Sequence, residues 1–104
     1  MGTITTITTQ EELDTAVAAS PSDWYEVGDT DGRWLTVRGG SKVMAVSRAR
    51  VIAYEGSDVI AYDGSDVAAR RGSWVHARKG SWVYAHNGSH VIAAEGSLVV
   101  GVRS

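Results

Sequence analysis

The chain predicts an all-β fold: a two-sided, flattened parallel β-solenoid with 16-residue coils built from octads, capped by a short N-terminal α-helix. Three observations predict it. From Gly32 to Arg103 the sequence is nine consecutive copies of one octad, roughly Gly-Ser-x-Val-x-Ala-x-x, and a weaker copy reaches back to Trp24. Short repeats of this kind build stacked identical units rather than a pocketed globule. Within each octad the second, fourth and sixth positions are monotonous while the third, fifth and seventh vary, which is the period of a strand with one buried face. Charges sixteen residues apart are opposite in sign, as stacked neighbours should be.

The elements follow in order. Thr3 to Thr9 is rich in β-branched residues and reads as a strand. Thr9 followed by Glu12 reads as a capping box, acids crowd the next turn, and Leu13, Ala16 and Val17 fall on one face of a helix of about three turns. Ser20-Pro21-Ser22-Asp23 ends that helix. Residues 1–31 thus form a strand-and-helix cap with a first irregular repeat, and 32–104 form the solenoid. A stack of repeats leaves its first layer with an open apolar end, so a short amphipathic helix there is most simply a lid.

The fourth octad position runs Leu35, Val43, Val51, Val59, Val67, Val75, Val83, Val91 and Val99, and alanine dominates the sixth. Asp63-Gly64 and Asn87-Gly88 look like hairpin turns, so an antiparallel meander has to be weighed. In a meander the Val and Ala set would alternate between faces from strand to strand and mix with Trp, Asp and Lys. Parallel stacking keeps it on one inner ladder. A 24-residue, three-sided coil would enclose a prism with sides of about 20 Å, too wide for Val, Ala and Ser to fill. Two sheets across a thin aliphatic layer would be filled. Spacing 16 aligns Glu26 with Lys42, Lys42 with Asp58, Arg50 with Asp66, Glu55 with Arg71, Asp63 with Lys79 and Lys79 with Glu95, every pair opposite in sign. Spacing 24 introduces like pairs such as Asp31 with Glu55. Sixteen also sets Tyr54 beside Arg70 and Tyr62 beside Arg78, suitable for cation–π contact. Glycine opens eight of the nine octads because corners often need positive φ; Arg48 and Ala49 break the Gly-Ser rule, so that corner is expected to be the least regular.

Composition narrows the function classes. A formal charge of −2 lacks the basic excess that nucleic-acid binding needs, so no nucleic-acid partner is expected. Absence of cysteine removes disulfides and thiolate metal sites. No apolar run approaches a membrane span of about 20 residues, and residues 1–20 lack signal-peptide character, so a soluble, cytoplasmic protein with no membrane partner is expected. His76 and His90 share a face with no carboxylate or thiolate beside them, a poor zinc site, and no Ser, His and acid come together. Asp29-Thr30-Asp31-Gly32 resembles the start of a calcium loop but lacks the rest of it and reads as an acidic turn. No cofactor, metal or catalytic residue is expected.

What remains is surface. Met44, Ile60, His76 and Ile92 should form a mostly apolar column on one face, with Tyr62 and Trp74 beside it. Trp82 and Tyr84 project from the other face. The last octad carries Leu98, Val100 and Val102 outward, and its uncapped strand edge invites a second chain. These residues are the candidate interaction set, and homodimerisation through the C-terminal coil or an apolar face is expected.

The Gly-Ser-x-Val-x-Ala octads, spanning about two thirds of the chain, resemble the octapeptide-repeat proteins of actinobacteria and their phages, and Met1 to Leu13 looks like the start of small phage-encoded members. That resemblance implies a β-solenoid and a phage origin, hence the cytoplasm of a host cell. It carries over no catalytic residue. The expected function is a non-enzymatic, self-associating interaction module acting on a host or phage protein. The alternative is a carbohydrate-binding or virion-surface element using the Trp and Tyr rows.

Overall fold

The computed structural model describes residues 6–19, 24–38, 41–46 and 48–102. Its chain order is β1 (Thr6–Ile7), α1 (Gln10–Ala19), β2 (Trp24–Val27), β3 (Trp34–Val37), β4 (Lys42–Ala45), β5 (Arg50–Ala53), β6 (Asp58–Ala61), β7 (Asp66–Ala69), β8 (Trp74–Ala77), β9 (Trp82–His86), β10 (His90–Ala93) and β11 (Leu98–Val102). Successive octads alternate between two parallel sheets, one ordered β1-β2-β4-β6-β8-β10 and the other β11-β9-β7-β5-β3. Residues sixteen apart are rungs of one ladder: Val59 pairs with Val43 on one side and Val75 on the other. The fold is therefore an all-β parallel solenoid with an N-terminal helix, its two sheets back to back.

The core is what the octad dictates. Val43, Val51, Val59, Val67 and Val75 form the inner ladders with Ala45, Ala53, Ala61, Ala69 and Ala77, all fully buried. Removing this continuous Val and Ala surface from water holds the two sheets together. Each regular corner is a four-residue turn closed by an i to i+3 bond, as from the Ser65 amide to the Tyr62 carbonyl at 3.1 Å. The glycine lies third in that turn with positive φ, 83° at Gly64, the position where a type II turn demands it. The corner serine is buried at Ser65, Ser73 and Ser81, and its hydroxyl donates to the same carbonyl, 2.6 Å from Ser65 Oγ to Tyr62 O and alike at Ser73 and Ser81; Ser97 makes the same bond at the more open last corner. Each of Ser57, Ser65, Ser73, Ser81, Ser89 and Ser97 thus finishes its own turn. Arg48 departs as expected: it holds φ at 37° without being glycine, and Ala49 closes the turn by its amide alone. The breaker segment 20–23, residues 3–5 of the expected first strand and Gly40 lie outside the described residues.

One register expectation is corrected. Glu26 pairs with Met44, not Lys42, because β2 and β4 are offset by eighteen residues. The link between β2 and β3 carries two extra residues, and Asp31 and Gly32 turn there with φ of 52° and 77°. Thr30 is buried in that link and its Oγ accepts the Arg50 amide at 3.2 Å. Glu26 instead accepts a hydrogen bond from the Thr6 hydroxyl of β1.

The N-terminal end is closed in two ways. β1 continues the first sheet, with Ile7 beside Val27. Over the second sheet α1 buries Leu13 and packs Ala16 and Val17 against the core. Gln10 at its first turn accepts the Thr36 amide (2.6 Å) and donates to the Thr36 carbonyl (3.1 Å), so its side chain replaces a neighbouring strand on edge strand β3. The capping box forms as expected, with Glu12 N–H donating to Thr9 Oγ1 and Thr9 N–H to Glu12 Oε1.

Glu12 also accepts the Thr8 amide, and these bonds, that amide's foremost, hold its carboxyl below the ordinary value of 4.5. A carboxyl lowered by folding contributes stability above the unfolded value and loses it as pH falls through the folded one. Acidification should therefore lower the thermal midpoint, and Glu12→Gln should flatten that decline. A decline of equal slope in both proteins, followed by circular dichroism, would remove the cap from the explanation.

Candidate functional site

Outward residues on each sheet form vertical columns because rungs repeat every sixteen residues. The third-position column reads Trp24, Lys42, Asp58, Trp74, His90 on one sheet and Trp34, Arg50, Asp66, Trp82, Leu98 on the other. The first four rungs are thus chemically alike on the two faces. Lys42 lies over the Trp24 ring at 5.9 Å and Arg50 over Trp34 at 5.7 Å, two cation–π contacts that no charge count reveals. Arg50 also reaches Asp66 at 3.6 Å. That is the one ion pair among the described residues: Lys42 and Asp58 share a ladder without forming another. Of the two expected tyrosine contacts, Arg78 over Tyr62 forms at 5.9 Å.

The middle column of the first face is the predicted one, Met44, Ile60, His76 and Ile92 in register. Met44 and Ile60 are half-buried by their neighbours, whereas Ile92 is 55 % exposed at the sheet edge. Beside it Trp74 and His90 stack with ring centroids 4.3 Å apart and planes 16° from parallel. Trp74 and His90 stand sixteen apart, so the coil length alone sets them side by side.

On the second face Trp82 pairs with Leu98 and Tyr84 with Val100, a two-by-two apolar block at the end of the sheet. Trp82, Leu98 and Val100 are exposed and Tyr84 is half-buried. Val102 is paired through its backbone with His86, and its side chain lies outside the described residues. The structure therefore gathers Trp74, His76 and Ile92 on one face of the last coils and Trp82, Tyr84, Leu98 and Val100 on the other, while Met44, Ile60 and Tyr62 lie half-buried nearer the middle of the first sheet.

The chemistry available is that of a surface. The corner serines spend their hydroxyls on corner carbonyls, and His76 and His86 stand on opposite sheets. Asp29 Oδ1 accepts the Asp31 amide at 2.9 Å, so the acidic run is a hydrogen-bonded turn. Among the described residues no three His, Cys, Asp or Glu side chains are placed to hold a metal ion, and no helix is long and apolar enough to cross a membrane. An open depression of about 500 Å³ at one corner is lined by Arg70, Arg71, His86, Asn87 and Gly88, which offer no carboxylate to work against the histidine. Compared with known proteins, the chain matches no family model, no curated protein and no solved structure.

Proposed function

We propose that this chain is a non-enzymatic, self-associating interaction module whose terminal aromatic and aliphatic rungs dock a protein. The observation that carries the reading is the contiguity of Trp82, Tyr84, Leu98 and Val100 on one face and of Trp74, His90 and Ile92 on the other. Scattered apolar residues are ordinary on a surface; adjoining rungs of them, with tryptophan at the centre, are what partners bury. The resemblance to phage-encoded octapeptide-repeat proteins adds the expectation of a host protein in the cytoplasm as that partner.

One observation favours a second reading, binding of carbohydrate. Among the described residues Trp82 is the tryptophan whose ring has no aromatic or cationic contact, leaving an indole face for a sugar ring. Replacing Trp82 and Tyr84 together by Ala separates the two. The protein-docking reading expects affinity for a captured partner to fall about 30-fold, the loss of a hot spot worth about 2 kcal/mol. It also expects a glycan array to stay blank with the wild-type chain. Glycan binding that vanishes in the double variant while protein capture persists would reverse the assignment.

A further inference from the structure

We infer that two copies of this chain join end to end through β10 and β11, about a twofold axis that passes between Ile92 and its copy and between Val100 and its copy. The inference rests on the self-association proposed above and names its surface and geometry.

In parallel ladders of this register, the inward residues send both backbone groups to the following coil and the outward residues send theirs to the preceding one. The carbonyls of Ala45, Ala61 and Ala77 accordingly accept the amides of Tyr62, Arg78 and Ala94, each at 2.8 Å. β10 and β11 are the outer strands of their sheets. Val91 and Ala93 on β10, and Val99 and Gly101 on β11, therefore present amides and carbonyls that no further strand among the described residues receives. The aliphatic layer opens at the same rim: Val99 is 37 % exposed where Val67 and Val83 are at 0 %. At the other end β1 and Gln10 occupy the equivalent edges.

An occupant must supply two strand edges at once, separated by one thin Val and Ala layer. The same coil of a second copy has that cross-section. Consecutive strands run in opposite directions across the layer, so two end-on arrangements give antiparallel pairing. With the axis along the strands, β10 meets β11 of the partner, Glu95 faces its own copy, and the Arg70 and Arg71 corner faces its own copy. With the axis normal to the sheets, β10 meets β10, β11 meets β11, and the Glu95 corner lies over the corner holding Arg70, Arg71 and Asn87. The first sets Glu95 against its own copy, whereas the second places the two Glu95 carboxylates at opposite corners, each across from the partner's Asn87.

The second arrangement is also self-consistent in register. Antiparallel partners exchange both bonds between residues whose groups point at each other. That sets Val91 opposite Ala93 with Ile92 opposite itself, and Val99 opposite Gly101 with Val100 opposite itself. Ile92 and Val100 hold the same fifth octad position, midway along opposite sheets, so one axis serves both strands.

The chain contains no cysteine, so an engineered pair reads without background. Residues opposite in a non-hydrogen-bonded antiparallel pair have Cα atoms about 4.5 Å apart, within disulfide range. Ile92→Cys and Val100→Cys should each form an intermolecular disulfide in near-complete yield under mild oxidation, while the unmodified chain runs at twice the monomer mass by light scattering. Val100→Lys, which sets two ammonium groups against each other on an exposed edge, should lose the dimer with its circular dichroism unchanged. A folded wild-type monomer at micromolar concentration overturns both this pairing and self-association. A wild-type dimer in which neither cysteine variant cross-links overturns the end-on pairing and leaves association through a face. Cross-linking that needs the two variants mixed overturns this axis in favour of the other.

Discussion

Ala61→Leu is expected to destabilise the fold by about 3 kcal/mol and to lower its thermal midpoint by about 15 °C. Ala61 is fully buried and stacks between Ala45 and Ala77. Only small aliphatic side chains separate the two sheets, so three added carbons have no cavity to enter and the sheets must part or the rung must tilt. Parting is not local, because the neighbouring coils hang on the same ladders; the Tyr62 amide bonds the Ala45 carbonyl, and Arg78 bonds Ala61. Ala68→Leu is the matched control. It adds the same atoms to an outward, half-buried rung and should stay within about 0.5 kcal/mol of the parent. Urea unfolding of the three proteins measures the contrast. Equal costs for the two leucines would mean that the sheets separate freely and that the thin, close-packed layer does not set the stability.

The sixteen-residue stacking was legible because it is written many times over. Val59 beside Val43 and Val75, and Lys42 beside Asp58, follow from one repeat length, and each further octad restates it. Thr9 and Glu12 were legible for a different reason: a capping box acts between residues three apart and needs no tertiary information. The errors gather where the repeat is interrupted. Two additional residues between β2 and β3 shift Glu26 onto Met44, and nothing in the octad pattern counts residues that fall outside it. Gln10 is the strongest case of what periodicity leaves hidden. Its amide serves Thr36, twenty-six positions away, and a glutamine at a helix start gives no sign that it will stand in for a strand. The candidate surface was legible as two lists of outward residues. That Trp82 joins Leu98 while Trp74 joins His90 followed from the coil length; that Lys42 and Arg50 would turn to tryptophan rings as well as to acids did not.

Gly72→Val is expected to cost about 3 kcal/mol or more, against about 1 kcal/mol for Gly32→Ala, and the difference tests how the corners are stacked. Both glycines hold positive φ, 80° at Gly72 and 77° at Gly32, so any side chain at either meets the left-handed penalty of about 1–2 kcal/mol. Their surroundings differ. A Cβ on Gly32 would have nothing within 4 Å, whereas one on Gly72 would lie 2.6 Å from Glu55 Cγ and 3.3 Å from Glu55 Cα. The Glu55 side chain could swing away, but its backbone belongs to the corner one coil earlier. Moving either corner strains the ladder that links them, in which Gly56 N–H donates to the Gly72 carbonyl at 3.0 Å and Gly72 N–H to the Gly88 carbonyl at 2.9 Å. Valine adds a β-branched side chain that the left-handed region tolerates poorly. Gly72→Ala completes the series: it carries the same backbone penalty as Gly32→Ala plus the contact with Glu55, and should fall between the other two. Urea midpoints in the order Gly32→Ala, Gly72→Ala, Gly72→Val, from most to least stable, support corners packed rung upon rung. Identical midpoints for the two alanine variants would leave only the backbone penalty, and the close approach of one corner to the next would have no part in holding the coils together.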